Sequence, residues 1–362
     1  MTIQITKEGW LPLFTQRRAP NGFLQRMFTA KPNSTYSGKK VAIDIRRFGE
    51  QIAVAVEHGA GPRLNDLDVF TTKEFEPPAF YESVPFDVLM LLDRMAGDNP
   101  HTAAYKSDAA QLVSYMIDGF SLMSDKIART IELQAAQILQ TGTVTLINSD
   151  GDTMYTINFF PKASHFPTVG VSWTAGGGDP LGDLESLARQ IRADGKIQPN
   201  RLVMGSAALS NFLQNAEVKD ALDSRRGVLG DMNPRFDNSG ATFYGNVWVG
   251  AYKFEIWTYP ETYEHPQTSA ITDFVSVDNV IMLSDGARLD RVNARVPLPL
   301  GADPRVAGLL PGRLNAGGEN GFDLTPNVYA TPNGKQIIAE LETRTLLIPV
   351  QLDSFGTIDT TV

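Results

Sequence analysis

Ser107-Asp-Ala-Ala-Gln-Leu-Val-Ser-Tyr-Met-Ile-Asp-Gly-Phe-Ser-Leu-Met-Ser-Asp-Lys-Ile-Ala-Arg-Thr-Ile-Glu-Leu-Gln-Ala-Ala-Gln-Ile-Leu-Gln-Thr-Gly142 is the stretch on which the fold turns. Val113, Met116, Phe120, Met123, Ile127, Ile131 and Ile138 recur at gaps of three, four or seven, which lines them along one face of a helix. Ser107 is the residue type that caps a helix N-terminus, and Gly142 stands where a C-terminal cap belongs. Proline is absent from the interior. About thirty-four residues at about 1.5 Å each make a rod of about 50 Å, well beyond the usual helix length. The Met and Phe residues of the stripe read as core packing rather than as a cofactor pocket, so the segment is a structural spine.

After the spine, Thr143-Val-Thr-Leu-Ile-Asn148 and Met154-Tyr-Thr-Ile-Asn-Phe-Phe160 flank Ser149-Asp-Gly-Asp152, and the Asp-Gly pair signals a hairpin. Thr174-Ala-Gly-Gly-Gly178 reads as a hinge. Asp179 and Pro180 supply an N-cap and a first helical residue for a helix over 181–193, with Gly195 after it. Pro199 to Met204 reads as a buried strand, and Gly205-Ser206 opens a helix through Phe212, with Ser206 as its cap. Strands are expected at Val247–Val249, Lys253–Tyr259, Phe274–Val277 and Val280–Leu283. This alternation makes residues 170 to 285 a second lobe of mixed helix and strand.

Before the spine, Phe86 to Ala96 reads as a short apolar helix. Residues 41–85 read as extended: Val41, Ile43 and Ile45 alternate with Ala42, Asp44 and Arg46, Gln51–Val56 is β-prone, and Phe70–Phe75 ends at Pro77-Pro78. A β-rich excursion of this length, with no helix of its own to cover it, is expected to lie on a partner; a small β-subdomain folded on its own body is the alternative. Trp10–Phe14 and Asn21–Phe28 are apolar fragments within the first forty residues. They suit an arm lying on a neighbouring surface, or an irregular first element of the core. Gly301 to Gly334, rich in Gly, Pro and Asn, reads as an inserted loop.

Composition narrows the functions. Of 362 residues 42% are hydrophobic and 20% charged, as in a foldable protein rather than a disordered one. No run reaches the roughly 18 apolar residues that cross a bilayer, and Met1–Leu13 lacks the pattern of an export signal. With no cysteine, disulfides and thiolate metal sites are excluded. The 32 basic against 41 acidic residues leave a net charge of -9, unlike a dedicated nucleic-acid binder. His58, His101, His165 and His265 are scattered without ligand spacing. The glycines at 176–178 lack the lysine of a phosphate loop, and Met204-Gly-Ser-Ala-Ala208 lacks the flanking glycines of a nucleophile elbow. No catalytic residue, cofactor or metal is expected.

Three segments carry a family likeness through their order and spacing: Phe75-Glu-Pro-Pro-Ala-Phe-Tyr81, Glu217-Val-Lys-Asp-Ala-Leu-Asp-Ser-Arg-Arg-Gly227, and Asp278-Asn-Val-Ile-Met-Leu283 together with Thr345–Phe355. From about residue 20 to the end the chain resembles the lambda-type phage major capsid proteins, the capsid protein E family, of Hong Kong 97-type fold. The resemblance implies an α+β chain. Its parts would be an N-terminal arm (1–40), an extended β-loop (41–85), a peripheral domain (86–165) holding the spine helix (107–141), an axial domain (166–275), and a return with a C-terminal strand (276–362). It implies an icosahedral shell of hexamers and pentamers, assembled in the host cytoplasm and carried in the virion. The shell forms around a scaffold, is filled with double-stranded DNA through a portal, and in some cases carries a decoration protein. No membrane is involved.

At residue level the implied chemistry is that of assembly. Arg46 and Arg47 are expected to pair with Glu74 and Glu76 across subunits, at about 0–1 kcal/mol for each exposed pair, which sets register rather than strength. Phe75, Phe80 and Tyr81 are the expected apolar anchors. Arg225 and Arg226 are read either as carboxylate binders on a neighbour or as a solvated helix end. Covalent cross-linking is not expected. Two other readings stand beside this one: an encapsulin-like nanocompartment shell enclosing a cargo enzyme, and a hydrolase built on Ser206.

Overall fold

The chain was analysed as a computed structural model that describes residues 21–36, 40–45, 71–87, 108–148, 152–175, 178–222, 230–296 and 324–362. Helix α1 spans Asp108–Thr141. Its stripe is buried as the spacing requires, with Met116, Met123, Ile127, Ile131 and Ile138 all under 5% exposed. Ala135, Ala136 and Leu139 are fully buried as well, so the last turns are enclosed on more than one side. Gly142 ends the helix at φ 66°, its N–H donating to Ile138 O at 2.8 Å. A side chain would be strained there. Gly119 has a different reason: a Cβ would lie 2.8 Å from Cζ of the Phe86 ring, whose tip meets the helix at that turn.

Ahead of α1 run strands β1 (Thr29–Tyr36), β2 (Val41–Ile45), β3 (Thr71–Phe75) and β4 (Phe80–Asp87). After it come β5 (Thr143–Ile147), β6 (Thr153–Asn158), helix α2 (Pro180–Gly195), β7 (Arg201–Met204), and helices α3 (Ser206–Gln214) and α4 (Ala216–Leu222). Then follow β8 (Gly230–Phe236), β9 (Thr242–Val249), β10 (Tyr252–Thr258), the short pair β11 (Thr262–Glu264) and β12 (Ile271–Asp273), and β13 (Asn279–Leu283). The chain closes with β14 (Leu289–Ala294), β15 (Thr325–Ala330), β16 (Gln336–Thr343), β17 (Thr345–Pro349) and β18 (Phe355–Asp359).

The largest sheet is six-stranded and mixed, in the order β18-β13-β7-β10-β9-β8. Both of its faces are covered. Leu202, Met204, Phe254, Ile256, Val280 and Met282 face one apolar cluster with Leu184 and Ile191 of α2 and Phe212 of α3. Val203, Trp257, Ile281, Leu283 and Phe355 face the other cluster, which contains the α1 stripe. A sheet covered twice gives unbroken apolar runs, and that is why 202–204 and 280–283 read as buried strands without alternation. Strands β13 and β18 come from beyond residue 275, so this sheet does not end where the expected axial segment does. Two three-stranded sheets, β1-β14-β17 and β15-β16-β4, complete the cluster around α1.

Polar side chains on the last third of α1 tie these parts together. Glu132, fully buried, accepts from Leu24 N at 2.8 Å and Gln25 N at 3.0 Å. Gln134 accepts from Leu347 N of β17 at 3.5 Å. Gln137 brackets Thr145 of β5, accepting from its N–H and donating to its carbonyl. Gln140 donates to Phe274 O and accepts from Ser276 N and Asn279 Nδ2. Apart from the Asn279 side-chain amide these partners are backbone groups, and a buried one left unpaired would cost about 1–3 kcal/mol.

Several expectations need correction. Residues 21–36 fit the second reading given for the first forty residues, an element of the core, since Phe23, Leu24 and Phe28 are buried in it and β1 pairs in parallel with β14; Trp10–Phe14 lie outside the described residues. Phe86 belongs to β4 rather than opening a helix; 88–96 lie outside the described residues. Residues 274–277 form a turn, because Val277 O is used as the acceptor for Ala207 N and Ala208 N at the start of α3. The cap of α3 is therefore Gly205 backed by that carbonyl, and Ser206 is its exposed first residue. Gly195 is the last residue of α2, where a Cβ would meet Asp353 O at 2.1 Å, and Lys196 takes the left-handed cap at φ 56°. The part of 301–334 that is described is a strand, β15, and a tight turn to β16 with Gly334 at φ 68°.

Burial pushes the Glu132 carboxyl up to about 7, against the two amides that favour its charge. A folded pKa above the ordinary 4.5 means that the folded chain holds the proton more tightly. The contribution is thus full below about 4.5 and is lost as pH rises through about 7. Thermal unfolding followed by circular dichroism should show this fall from about pH 5 to 8 in the wild type and its loss in Glu132→Gln. Glu132→Ala, which orphans both amides, should cost about 2–4 kcal/mol throughout.

Candidate subunit interface

The extended segment has a built base. Strands β2 and β3 pair antiparallel from Val41↔Phe75 to Ile45↔Thr71, and among the described residues no third strand joins them. Val41 is fully buried, and the Phe75 ring lies 5.1 Å from that of Phe159, just after β6. Pro77 and Pro78, both buried, hold the link to β4 extended. Strand β4 then pairs with β16 from Phe80↔Thr343 to Asp87↔Gln336. Its residues alternate: Phe80, Val84 and Phe86 turn into the α1 core, while Tyr81, Ser83 and Pro85 are exposed.

Charges gather at this base. Lys40 Nζ meets Glu74 Oε2 at 3.2 Å with both side chains more than half exposed, so the pair is worth about 0–1 kcal/mol. Burial, then the nearby Glu76, pushes the Tyr155 phenol up to about 12, with Arg344 opposing. The Arg344 guanidinium donates to Arg295 O and to Pro77 O, tying the link to the body. On the outer side of the β15-β16-β4 sheet, Glu340 accepts from Tyr329 Oη at 2.8 Å and Asn327 Nδ2 at 3.2 Å. The Tyr81 phenol is raised by burial and by Glu340, and that of Tyr329 chiefly by Glu340.

The structure thus brings Glu74, Phe75, Glu76, Phe80 and Tyr81 to one place and gives them different surroundings. Phe75 and Phe80 are half-buried against the chain's own core, and Tyr81 is 56% exposed. Glu74 has Lys40 beside it, a partner that the sequence signals only as the basic start of the β2 alternation. Arg46, Arg47, Arg225 and Arg226 lie outside the described residues.

Among the described residues the geometry adds no support to the enzymatic reading. Both ring nitrogens of the buried His165 are engaged, by Phe355 O at 2.9 Å and Asp194 Oδ2 at 3.1 Å. Burial would raise Asp194, but hydrogen bonds from Lys162, His165 and Gln190 hold it down to about 2. His265 Nδ1 accepts from the amides of Gln267 and Thr268. Neither histidine serves Ser206. Among the described residues no group of three or more His, Asp or Glu is placed to hold a metal, and no helix is long and apolar enough to cross a membrane.

The family model described as phage major capsid protein E matches residues 12–354. The chain belongs to that family. Capsid protein E members are shell subunits, so this chain is a capsid shell protein, a virion component whose copies assemble with one another, and its α+β architecture is the Hong Kong 97-type fold. A crystal structure described as a prophage capsid protein from E. coli CFT073 is similar at a TM-score of 0.60 and 13% identity, covering 94% of this chain and 93% of that one. The encapsulin complex from Synechococcus elongatus PCC 7942 (TM-score 0.47, 12% identity) covers 99% of this chain and 92% of its own. The capsid of Cyanophage P-SCSP1u (0.46, 11%) covers 99% and 91%. No curated protein sequence matches the chain.

Burial separates the candidate residues by role. Phe75→Ala should cost the unassembled subunit about 2–4 kcal/mol in chemical denaturation, because it empties the contact with Phe159. Tyr81→Ala, Glu74→Ala and Lys40→Ala should each stay within about 0.5–1 kcal/mol. Equal losses for Phe75 and Tyr81 would contradict the assigned packing.

Proposed function

We propose that this chain is the major capsid protein of a tailed phage, forming the icosahedral head around packaged double-stranded DNA. The match to the capsid protein E family over nearly the whole chain carries the reading. Physical support comes from the β2-β3 ribbon: two strands alone are marginal in water and gain from a surface to lie on. A neighbouring subunit supplies that surface. Arg46 and Arg47 then pair with carboxylates across the contact, Tyr81 is the apolar contact nearest the ribbon base, and Arg225 with Arg226 meets acidic groups of another copy.

In the same reading α1 with the β5-β6 hairpin is the peripheral domain, and the six-stranded sheet with α2 and α3 is the axial domain. The two apolar clusters on opposite faces of that sheet support the division. The net charge of -9 suits an inner wall that faces DNA without gripping it. Scaffold, portal and decoration proteins are the further partners, and assembly takes place in the host cytoplasm.

Electron microscopy and sedimentation of the expressed chain should show shells or capsomers, and particles from lysed hosts should hold nuclease-resistant double-stranded DNA. A cargo enzyme in place of DNA would favour a nanocompartment. Replacing residues 46–70 by an Asn-Gly turn, which preserves β2 and β3, should leave the subunit folded and abolish shells. Shells of normal size from that variant would refute the role given to the loop.

A further inference from the structure

The six-stranded sheet ends at β18, and the outer edge of that strand is not left bare. Residues 163–173 run along it without forming a strand of their own. Asp359 N donates to Pro167 O at 3.1 Å and Val169 N to Asp359 O at 3.0 Å, around a single parallel bridge from Thr168 to Asp359. Trp173 N and Ser172 Oγ both donate to Thr360 O, at 3.1 Å and 3.2 Å. The buried indole of Trp173 donates to Asp183 Oδ2 of α2 at 2.9 Å. An open edge on a sheet of this size is a template for pairing with another chain, so a strap across it guards the subunit. At its near end the strap is tied down by one side chain, His165.

His165 is buried in the turn at 163–165, which packs against α2 and β18. Its Nδ1 lies 2.9 Å from Phe355 O, the first carbonyl of β18, and its Nε2 lies 3.1 Å from Asp194 Oδ2 of α2. Both neighbours are acceptors. The carbonyl has no hydrogen to give. The Asp194 carboxyl, which burial would raise but hydrogen bonds from Lys162, His165 and Gln190 hold down to about 2, has none either. The ring therefore satisfies both contacts only with a hydrogen on each nitrogen. Either single-hydrogen form sets a nitrogen lone pair against an oxygen and leaves a buried acceptor unmet. The seat is tight as well, since a Cβ at Gly356 would lie 2.5 Å from His165 O. The charged groups of the elements meeting here are Lys162 ahead of the turn, which shares Asp194 with the ring, Asp194 itself, and the buried Asp353 in the turn leading into β18.

We infer that residues 163–173 are a strap closing the free edge of the six-stranded sheet, with His165 as its proton-sensitive clasp: the ring ties α2 to β18 while it carries a hydrogen on both nitrogens, and the tie breaks when it gives one up. The tie is thus complete at low pH and is lost as pH rises across the range in which histidine titrates, about pH 5–8. Hydrogen exchange read by mass spectrometry on the full-length chain tests it, in a Glu132→Gln background so that the spine carboxyl adds no pH dependence of its own. Protection of peptides from 163–173 and 355–361, taken relative to the intrinsic rate at each pH, should fall by about tenfold or more from pH 5 to 8, while that of α1 peptides holds. Asp194→Asn, which keeps the shape and removes the anion, should move the fall to lower pH. Strap protection that is flat from pH 5 to 8, or a fall at the same pH with and without the Asp194 charge, overturns the inference. The same peptides are read in free subunits and in shells, so the outcome is separate from that of the shell reading.

Discussion

The last third of α1 is where the rest of the molecule is fastened. Glu132, Gln134, Gln137 and Gln140 point in different directions around the helix and satisfy backbone groups of the 24–25 turn, β17, β5 and the 274–279 turn. Thr357 Oγ1 adds a fifth link, donating to Leu139 O at 2.7 Å. Apolar packing brings elements to a helix but leaves them free to slide. Directional bonds in a water-free setting fix register, because the misaligned alternative leaves donors and acceptors unmet. The rod is stiff, and several independent segments are indexed to it.

The six-stranded sheet plays the complementary part. With α2 and α3 on one side and the α1 cluster on the other, it is a shared wall, and side chains of alternate parity along each strand serve different cores. A substitution at Val203 is felt by the spine, and one at Leu202 or Met204 by α2. The ribbon base, β4 and the β5-β6 hairpin gather on the spine side of this wall.

Much of this was legible in the residues. The α1 stripe, the β2 alternation, the hairpin and the Asp179-Pro180 helix start each obey a local rule that tertiary structure had no reason to override. What stayed hidden was set by distant partners. Glu132 and the glutamines of α1 look like a solvated face, since nothing local distinguishes a glutamine meeting water from one meeting a buried amide. Phe274-Val-Ser-Val277 has strand composition, yet its carbonyls are committed elsewhere, Phe274 O to Gln140 of α1 and Val277 O to the start of α3. Strands β15 and β16 carry Pro326, Asn327, Glu340 and Glu342, which dilute the β signal and merge with the Gly-rich run before them. At the candidate interface, the sequence marks the aromatic residues alike as apolar anchors and has no means of telling Phe75, turned inward, from Tyr81, turned out.

The fastening of α1 also sets an order of events during synthesis. Its partners span the chain from Leu24 to Thr357, and β18 closes the edge of the large sheet beside β13. A nascent chain that has just completed the helix lacks β16, β17 and β18, and so lacks much of what the stripe is buried against. Contacts of such sequence separation are slow to form and cannot form before the residues of β18 have been made. The part of the spine that β16, β17 and β18 cover is therefore closed late. A polymerising protein gains from that delay, since half-made chains present no finished surface on which premature association can start.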